Sequence, residues 1–204
     1  GLGMSESSVA RLFCLLLILS TTAAAIPATA ADSNVEPLTT SGRQTTAAGQ
    51  AYQWLNGLAS NEHDYARHVK AGSDGSVFVA GEYCTSSDNN CQFYLSDKNS
   101  NTASSLQGDD SCEEVFVAKY DPDGTLAWEE RVYNSHGCGS GRAYITDLDV
   151  TSDGGAVISG WYRYTAYFGN SLTIQDNSGD SHYDGFVAKV GPTGIWEWAH
   201  SLGS

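Results

Sequence analysis

Basic residues are scarce in this sequence. Its 204 residues contain 10 lysines and arginines against 24 aspartates and glutamates, which gives a formal net charge of −14. The few basic side chains are scattered along the chain, and a strongly acidic surface repels phosphate backbones. We therefore expect no nucleic acid among the partners of this protein.

Long apolar runs are also lacking, apart from one near the amino terminus. The run LFCLLLIL, residues 12–19, follows Arg11 and precedes small residues that end in an A-x-A pattern at 28–30. A spanning helix needs about 20 apolar residues, whereas this order of segments is typical of a cleaved signal peptide. Residues 1–31 are therefore predicted to be a three-residue scar and a signal peptide. No stable membrane span is expected after cleavage, and the protein is predicted to be secreted or held at the cell envelope.

Large apolar residues are few between residues 32 and 50, where Ser, Thr, Ala and Gly dominate. Such a segment cannot bury enough surface to order itself, so it is predicted to be a disordered linker. Residues 51–204 remain, and they are numerous enough for one domain with a sizeable core.

Helical periodicity is missing outside the signal peptide. Short apolar runs alternate instead with turn sequences, which predicts an all-β chain. The predicted strands form two sets of four in the same order: 65–71, 76–83, 114–120 and 125–133, then 144–150, 156–162, 185–190 and 195–202. A lone strand at 51–60 precedes them.

One stretch of the sequence is repeated. VFVAKYDPDGTLAW at 115–128 returns as GFVAKVGPTGIWEW at 185–198. The proline and the glycine of each xPxG segment favour a tight reversal between two antiparallel strands. Trp54, Trp128 and Trp198 recur at one place in the repeat, and this recurrence favours a packing role.

The repeated motifs resemble a known family. DGSVFVAG (74–81) and DGGAVISG (153–160), each followed by FVAK, an xPxG turn and a Trp, are similar to the SBBP-type β-propeller repeats of exported bacterial and archaeal proteins. The resemblance implies two four-stranded blades, 65–133 and 143–202. A closed propeller needs about four to eight blades, so a fragment of a larger β-propeller is expected. The remaining blades would come from a longer chain or from identical copies.

Four cysteines follow the signal peptide: Cys84, Cys91, Cys112 and Cys138. An even number in an exported protein favours disulfides. Three pairings are possible, and the short loop between the first two cysteines favours Cys84 with Cys91 and Cys112 with Cys138. The alternative is a zinc site formed by His136 and Cys138.

An acidic group lies at the start of the predicted strand 114–120 and comprises Asp109, Asp110, Glu113 and Glu114. Calcium could collect oxygen ligands there, although the spacing does not match an EF-hand loop. The competing interpretation is a solvated acidic loop. No cofactor is predicted. Calcium is the candidate ion for the acidic group.

Catalytic motifs are absent from the sequence. The five histidines accompany no recognisable nucleophile elbow and no HExxH, so no catalytic residue is predicted. Carboxylates are plentiful, so a glycosidase that uses a pair of them remains an alternative function. Four aromatic residues near a long predicted loop could stack on a carbohydrate or protein ligand: Trp161, Tyr162, Tyr164 and Tyr167.

These patterns predict a non-enzymatic interaction or scaffold module at the cell envelope or outside the cell. Two alternatives remain open from the sequence. One is part of a secreted propeller hydrolase or lyase that acts on polysaccharide. The other is a calcium-stabilised adhesin.

Overall fold

The computed structural model describes residues 53–85, 91–108, 113–134, 142–176 and 182–203. These residues form β-strands and connecting segments without a helix, which confirms the predicted all-β class. Within them there is no helix that could cross a membrane. The predicted signal peptide and linker lie outside the described residues.

The strands form three antiparallel sheets. They are β1 (Leu58–Ala59), β2 (Tyr65–Ala71), β3 (Val77–Tyr83), β4 (Gln92–Leu95), β5 (Ser104–Gln107), β6 (Glu114–Tyr120), β7 (Leu126–Asn134), β8 (Ala143–Val150), β9 (Ala156–Tyr162), β10 (Thr165–Phe168), β11 (Leu172–Gln175), β12 (Asp184–Val190) and β13 (Trp196–Leu202). The sheet orders are β1-β4-β5, β11-β10-β7-β6-β3-β2 and β13-β12-β9-β8.

Two four-stranded meanders dominate these sheets. We call β2, β3, β6 and β7 unit one, and β8, β9, β12 and β13 unit two. All eight strands were predicted to within one residue at each end. Of the predicted lone strand 51–60, the described residues 53–60 contain only the two-residue β1, which pairs with β4.

The two units repeat their register, including its irregularities. The first two strands of each unit carry a β-bulge, at Ala66/His68 in unit one and at Ile145/Asp147 in unit two. Gly160 lies opposite the bulge of unit two, where an added Cβ would overlap the carbonyl oxygen of Tyr144. Only glycine allows this close approach of two backbones.

Replacing Gly160 with Ala is expected to lower the free energy of unfolding by about 1–3 kcal/mol or more, because the methyl group must push β8 away from β9. Gly57→Ala is the matched control, since the nearest atom to its added Cβ is the Ser96 hydroxyl oxygen at 3.6 Å. Urea unfolding of both variants measures the difference. Equal stability of the two variants would show that the backbones of β8 and β9 do not approach each other at the bulge as closely as in the structure.

Each unit also inserts a β-hairpin between its second and third strands. We call β4–β5 hairpin one and β10–β11 hairpin two. Hairpin one pairs with β1 and hairpin two pairs with β7, so each extends the strand that precedes its own unit. The registers correspond, with Leu58 opposite Leu95 and Val132 opposite Phe168. Both segments were predicted to be long loops. The structure corrects this prediction, because each segment forms a hairpin.

The apolar core lies in two layers, one on each face of unit one. Phe116 and Ala118 pack towards β1 and hairpin one, while Phe78 and Val117 pack towards unit two. Every residue of β3 and β6 is therefore buried, as strands covered on both faces require. In β9, by contrast, buried and half-buried residues alternate, so among the described residues one face of unit two is covered and the other is covered only in part.

The disulfide between Cys84 and Cys91 is present, with Cα atoms 5.7 Å apart, as predicted. It closes a loop at the end of β3, and a loop this short gives about 2–3 kcal/mol in the chain-entropy description. Cys112 and Cys138, together with the alternative zinc ligand His136, lie outside the described residues.

Candidate functional site

The long connections of both units leave the sheets at one end, which we call the loop end. The glycine-containing turns lie at the opposite end. Most of the sequence-predicted site residues belong to the loop end. Asp109 and Asp110 of the acidic group lie outside the described residues, so only Glu113 and Glu114 can be placed.

Glu114 is fully buried between strands of unit one. Its carboxylate accepts a hydrogen bond from the Tyr83 hydroxyl, and the Arg131 guanidinium lies 3.7 Å away. Burial, reinforced by the adjacent carboxylate, raises the pKa of Tyr83 well above its ordinary value. The phenol therefore stays protonated and continues to donate. Glu114 thus has partners supplied by two other strands.

Glu113 connects unit one to unit two. Its carboxylate accepts a hydrogen bond from the Tyr144 hydroxyl and lies 3.3 Å from the Arg142 guanidinium. Burial raises the pKa of Glu113, and the arginine opposes that rise. No group of three or more metal-ligating side chains comes together in the described part of the chain.

A third carboxylate, Glu82, was missed by the sequence analysis. Its side chain is 2% exposed, pairs with Arg67 at 2.6 Å and accepts a hydrogen bond from the Ile145 backbone at 3.3 Å. Like Glu113 and Glu114, Glu82 thus pairs with an arginine and accepts a further hydrogen bond. All three carboxylates therefore fit a structural role better than a catalytic one.

The four predicted ligand-stacking aromatics do not form one cluster. Tyr162 is fully buried in the core between the units, and its hydroxyl donates to Ser201 at 2.8 Å. The prediction that its ring stacks on a ligand is therefore wrong. Tyr167 belongs to hairpin two, where its ring stacks on Tyr133 at 5.1 Å. Tyr164 has a positive φ of 67° beyond the end of β9.

Trp161 belongs to a different aromatic group, which includes residues that the sequence analysis did not select. Its ring stacks on Tyr144 at 3.8 Å and meets the edge of Tyr183 at 4.4 Å. Tyr183 is 47% exposed, and the Arg163 guanidinium lies 5.8 Å from its ring centre. This group lies at the loop end of the uncovered face of unit two.

That uncovered face, which we call the outer face, is the largest difference between the two units. Its members lie on one side of β9, β12 and β13: Val157, Ser159, Trp161, Val187, Lys189, Trp198, His200 and Leu202. In unit one the equivalent apolar residues Phe78, Val117 and Val132 are 0% exposed, whereas in unit two Val157 and Val187 are half-buried and Leu202 is 59% exposed. The repeat therefore places core-type residues on an open surface.

The recurring tryptophans show how such a face is covered elsewhere in the chain. Trp54 donates its indole N–H to the Pro122 carbonyl at 3.2 Å, and Trp128 donates to the Pro192 carbonyl at 3.0 Å. Each ring also lies against the glycine of the same xPxG turn, so that a Cβ on Gly194 would be 2.9 Å from the ring of Trp128.

The sequence matches no protein-family model, and it matches no curated protein. The functional assignment therefore depends on the geometry of the outer face and on the repeated contacts.

Only part of the contact between the tryptophan and the turn was predicted. The sequence indicated a packing role, but it did not supply the partner. A signal was nevertheless present, because the tryptophan and the next xPxG proline recur at nearly equal separations of 68 and 64 residues. Nearly equal separations of this kind are expected when a residue of one repeat contacts a residue of the next repeat.

Proposed function

We propose that this chain is a segment of an exported β-propeller of the SBBP type, and that it acts as a non-enzymatic interaction or scaffold module at the cell envelope or outside the cell. Its interaction surface is the outer face of unit two. Four-stranded antiparallel meanders that pack face to face are the components of propellers, which supports this architecture.

The observation that carries the proposal is that core-type residues on the outer face are only partly covered: Val157, Val187 and Trp198 are half-buried, and Leu202 is 59% exposed. Contiguous apolar surface on a folded protein marks a place where a partner binds. The aromatic group at the loop end of this face adds rings with polar edges, which are typical of binding surfaces. Export is supported by the disulfide between Cys84 and Cys91, which is typical of oxidising compartments.

A hydrolase or lyase is less well supported by the carboxylates. Retaining and inverting glycosidases need two carboxyl groups free to exchange protons or to attack the sugar. Glu82, Glu113 and Glu114 instead face Arg67, Arg142 and Arg131, respectively. Each of these carboxylates therefore has an arginine partner and a further hydrogen-bond donor within the fold.

The test measures polysaccharide cleavage and stability together. We expect no release of reducing ends by the protein from polysaccharides of several linkage types. Replacing Glu113 with Gln is expected to lower the free energy of unfolding by about 1 kcal/mol, because a charge-assisted contact between the units is lost. Glu62→Gln, which also removes one carboxylate charge, is the control.

Cleavage by the unmodified protein that disappears in a stably folded Glu113→Gln variant would overturn the non-enzymatic assignment. Secretion is followed in the same experiment by the mass of the exported product, which should begin near residue 32. A product that keeps residues 1–31 would contradict export by a cleaved signal peptide.

A further inference from the structure

The outer face of unit two has the same design as two surfaces that are already covered. Leu202 follows Trp198 by the same number of residues that separates Leu58 from Trp54 and Val132 from Trp128. In both covered examples the tryptophan bonds to a turn of the next unit, and the following aliphatic residue pairs with a hairpin of that unit.

We propose that the outer face binds one further four-stranded unit of the same design, joined to the chain after β13. The proposal rests on the repeat arrangement that the proposed function also uses, and it names the partner of that surface. The occupant must carry an inserted hairpin between its second and third strands and an xPxG turn between its third and fourth strands.

The position of the occupant follows from the existing contacts. Its hairpin would extend β13 at Leu202, as hairpin two extends β7 at Val132. The carbonyl of its turn proline would accept the Trp198 indole N–H, as Pro192 does for Trp128. The apolar side chains of Val157 and Val187 would then become part of a core.

Lys189 supplies a further comparison between the two units. Its equivalent in unit one, Lys119, is 8% exposed and donates to the Gly154 carbonyl at 3.0 Å, in the first turn of unit two. Lys189 instead reaches two carboxylates of its own unit, Asp153 at 2.5 Å and Glu197 at 2.8 Å. The lysine position in the repeat is therefore one that can contact the turn of a following unit.

A following unit in the same chain is favoured over a second copy of the protein, because in a second copy the matching face of unit one is already occupied. Both existing contacts join repeats that follow one another in the same chain. In a second copy, the corresponding face of unit one is already covered by that copy's own Trp54 and Leu58. Docking would have to displace them.

The experiment appends residues 135–204 a second time after Ser204. Asn134 and Ser204 occupy equivalent positions, so the appended turn lies 64 residues after Trp198, the separation that Trp128 has from Pro192. Thermal unfolding is measured for the original and the extended chain, each with and without Trp198→Ala. Amide hydrogen exchange at Leu202 is followed in the same samples.

We expect Trp198→Ala to lower the unfolding midpoint of the extended chain by about 10 °C, as loss of a buried tryptophan does, and to change the original chain little. The Leu202 amide should exchange slowly only in the extended chain. Leu202→Ser provides a second variant if the tryptophan variant does not fold.

Two results would overturn the proposal. One is an equal effect of Trp198→Ala in both chains together with fast exchange at Leu202, which would mean that the appended unit does not dock. The other is self-association of the original chain that Leu202→Ser abolishes, which would make a second copy the occupant. Neither result depends on polysaccharide cleavage, so failure here is distinguishable from failure of the non-enzymatic assignment.

Discussion

Replacing Trp128 with Ala is expected to lower the free energy of unfolding by about 3–5 kcal/mol, the usual loss for a buried tryptophan. Its ring is 9% exposed, it meets the edge of the Phe78 ring at a centroid distance of 5.9 Å, and its N–H donates to the Pro192 carbonyl. The substitution would open a cavity between the units and leave that carbonyl without its donor. Guanidinium unfolding, followed by circular dichroism, measures the loss.

Trp198→Ala in the same chain is the matched control, because Trp198 holds the same place in unit two. It lies on the outer face, beside His200 at 5.4 Å, where no described turn covers it. We expect a loss of under about 1 kcal/mol for this variant, as for other surface substitutions. Equal losses for the two tryptophans would contradict the account of how the units pack.

Replacing Arg131 with Met is the second change with a large expected effect, a loss of about 3–5 kcal/mol. The substitution leaves the charge of Glu114 fully buried without its nearest arginine, which is the expensive way to break an ion pair. It also removes a hydrogen bond to the Gln107 carbonyl at 2.6 Å, which ties hairpin one to β7.

The matched control combines Arg131→Met with Glu114→Gln. The double variant keeps a hydrogen-bonding side chain at 114 but removes the buried charge, so it should be more stable than Arg131→Met alone. Urea unfolding of the two single variants and the double variant gives the coupling energy. Additive losses would show that Arg131 does not stabilise the buried carboxylate.

The eight strands of the two units could be predicted from the sequence because their signals are local. The alternation of apolar runs with glycine turns gave their bounds. Hairpins one and two could not be predicted in this way. Segments such as QFYL and TAYF have four residues each, and they become strands by pairing with β1 and β7.

The candidate site was predicted less well, because it depends on contacts between distant strands. The arginine partners of Glu113 and Glu114 lie 29 and 17 positions away, respectively, and no spacing rule joins them. The error at Tyr162 was avoidable. Strand alternation places Tyr162 on the buried face with Ile158 and places Trp161 on the opposite face.

The packing of one unit on the next is the central claim, and exchange of the indole N–H protons tests it most directly. Two-dimensional NMR resolves one indole signal for each tryptophan. The account predicts that the Trp128 proton, which is bonded to the Pro192 carbonyl, exchanges with solvent far more slowly than the Trp198 proton on the outer face. A Trp128 proton that exchanges as fast as that of Trp198 would contradict it.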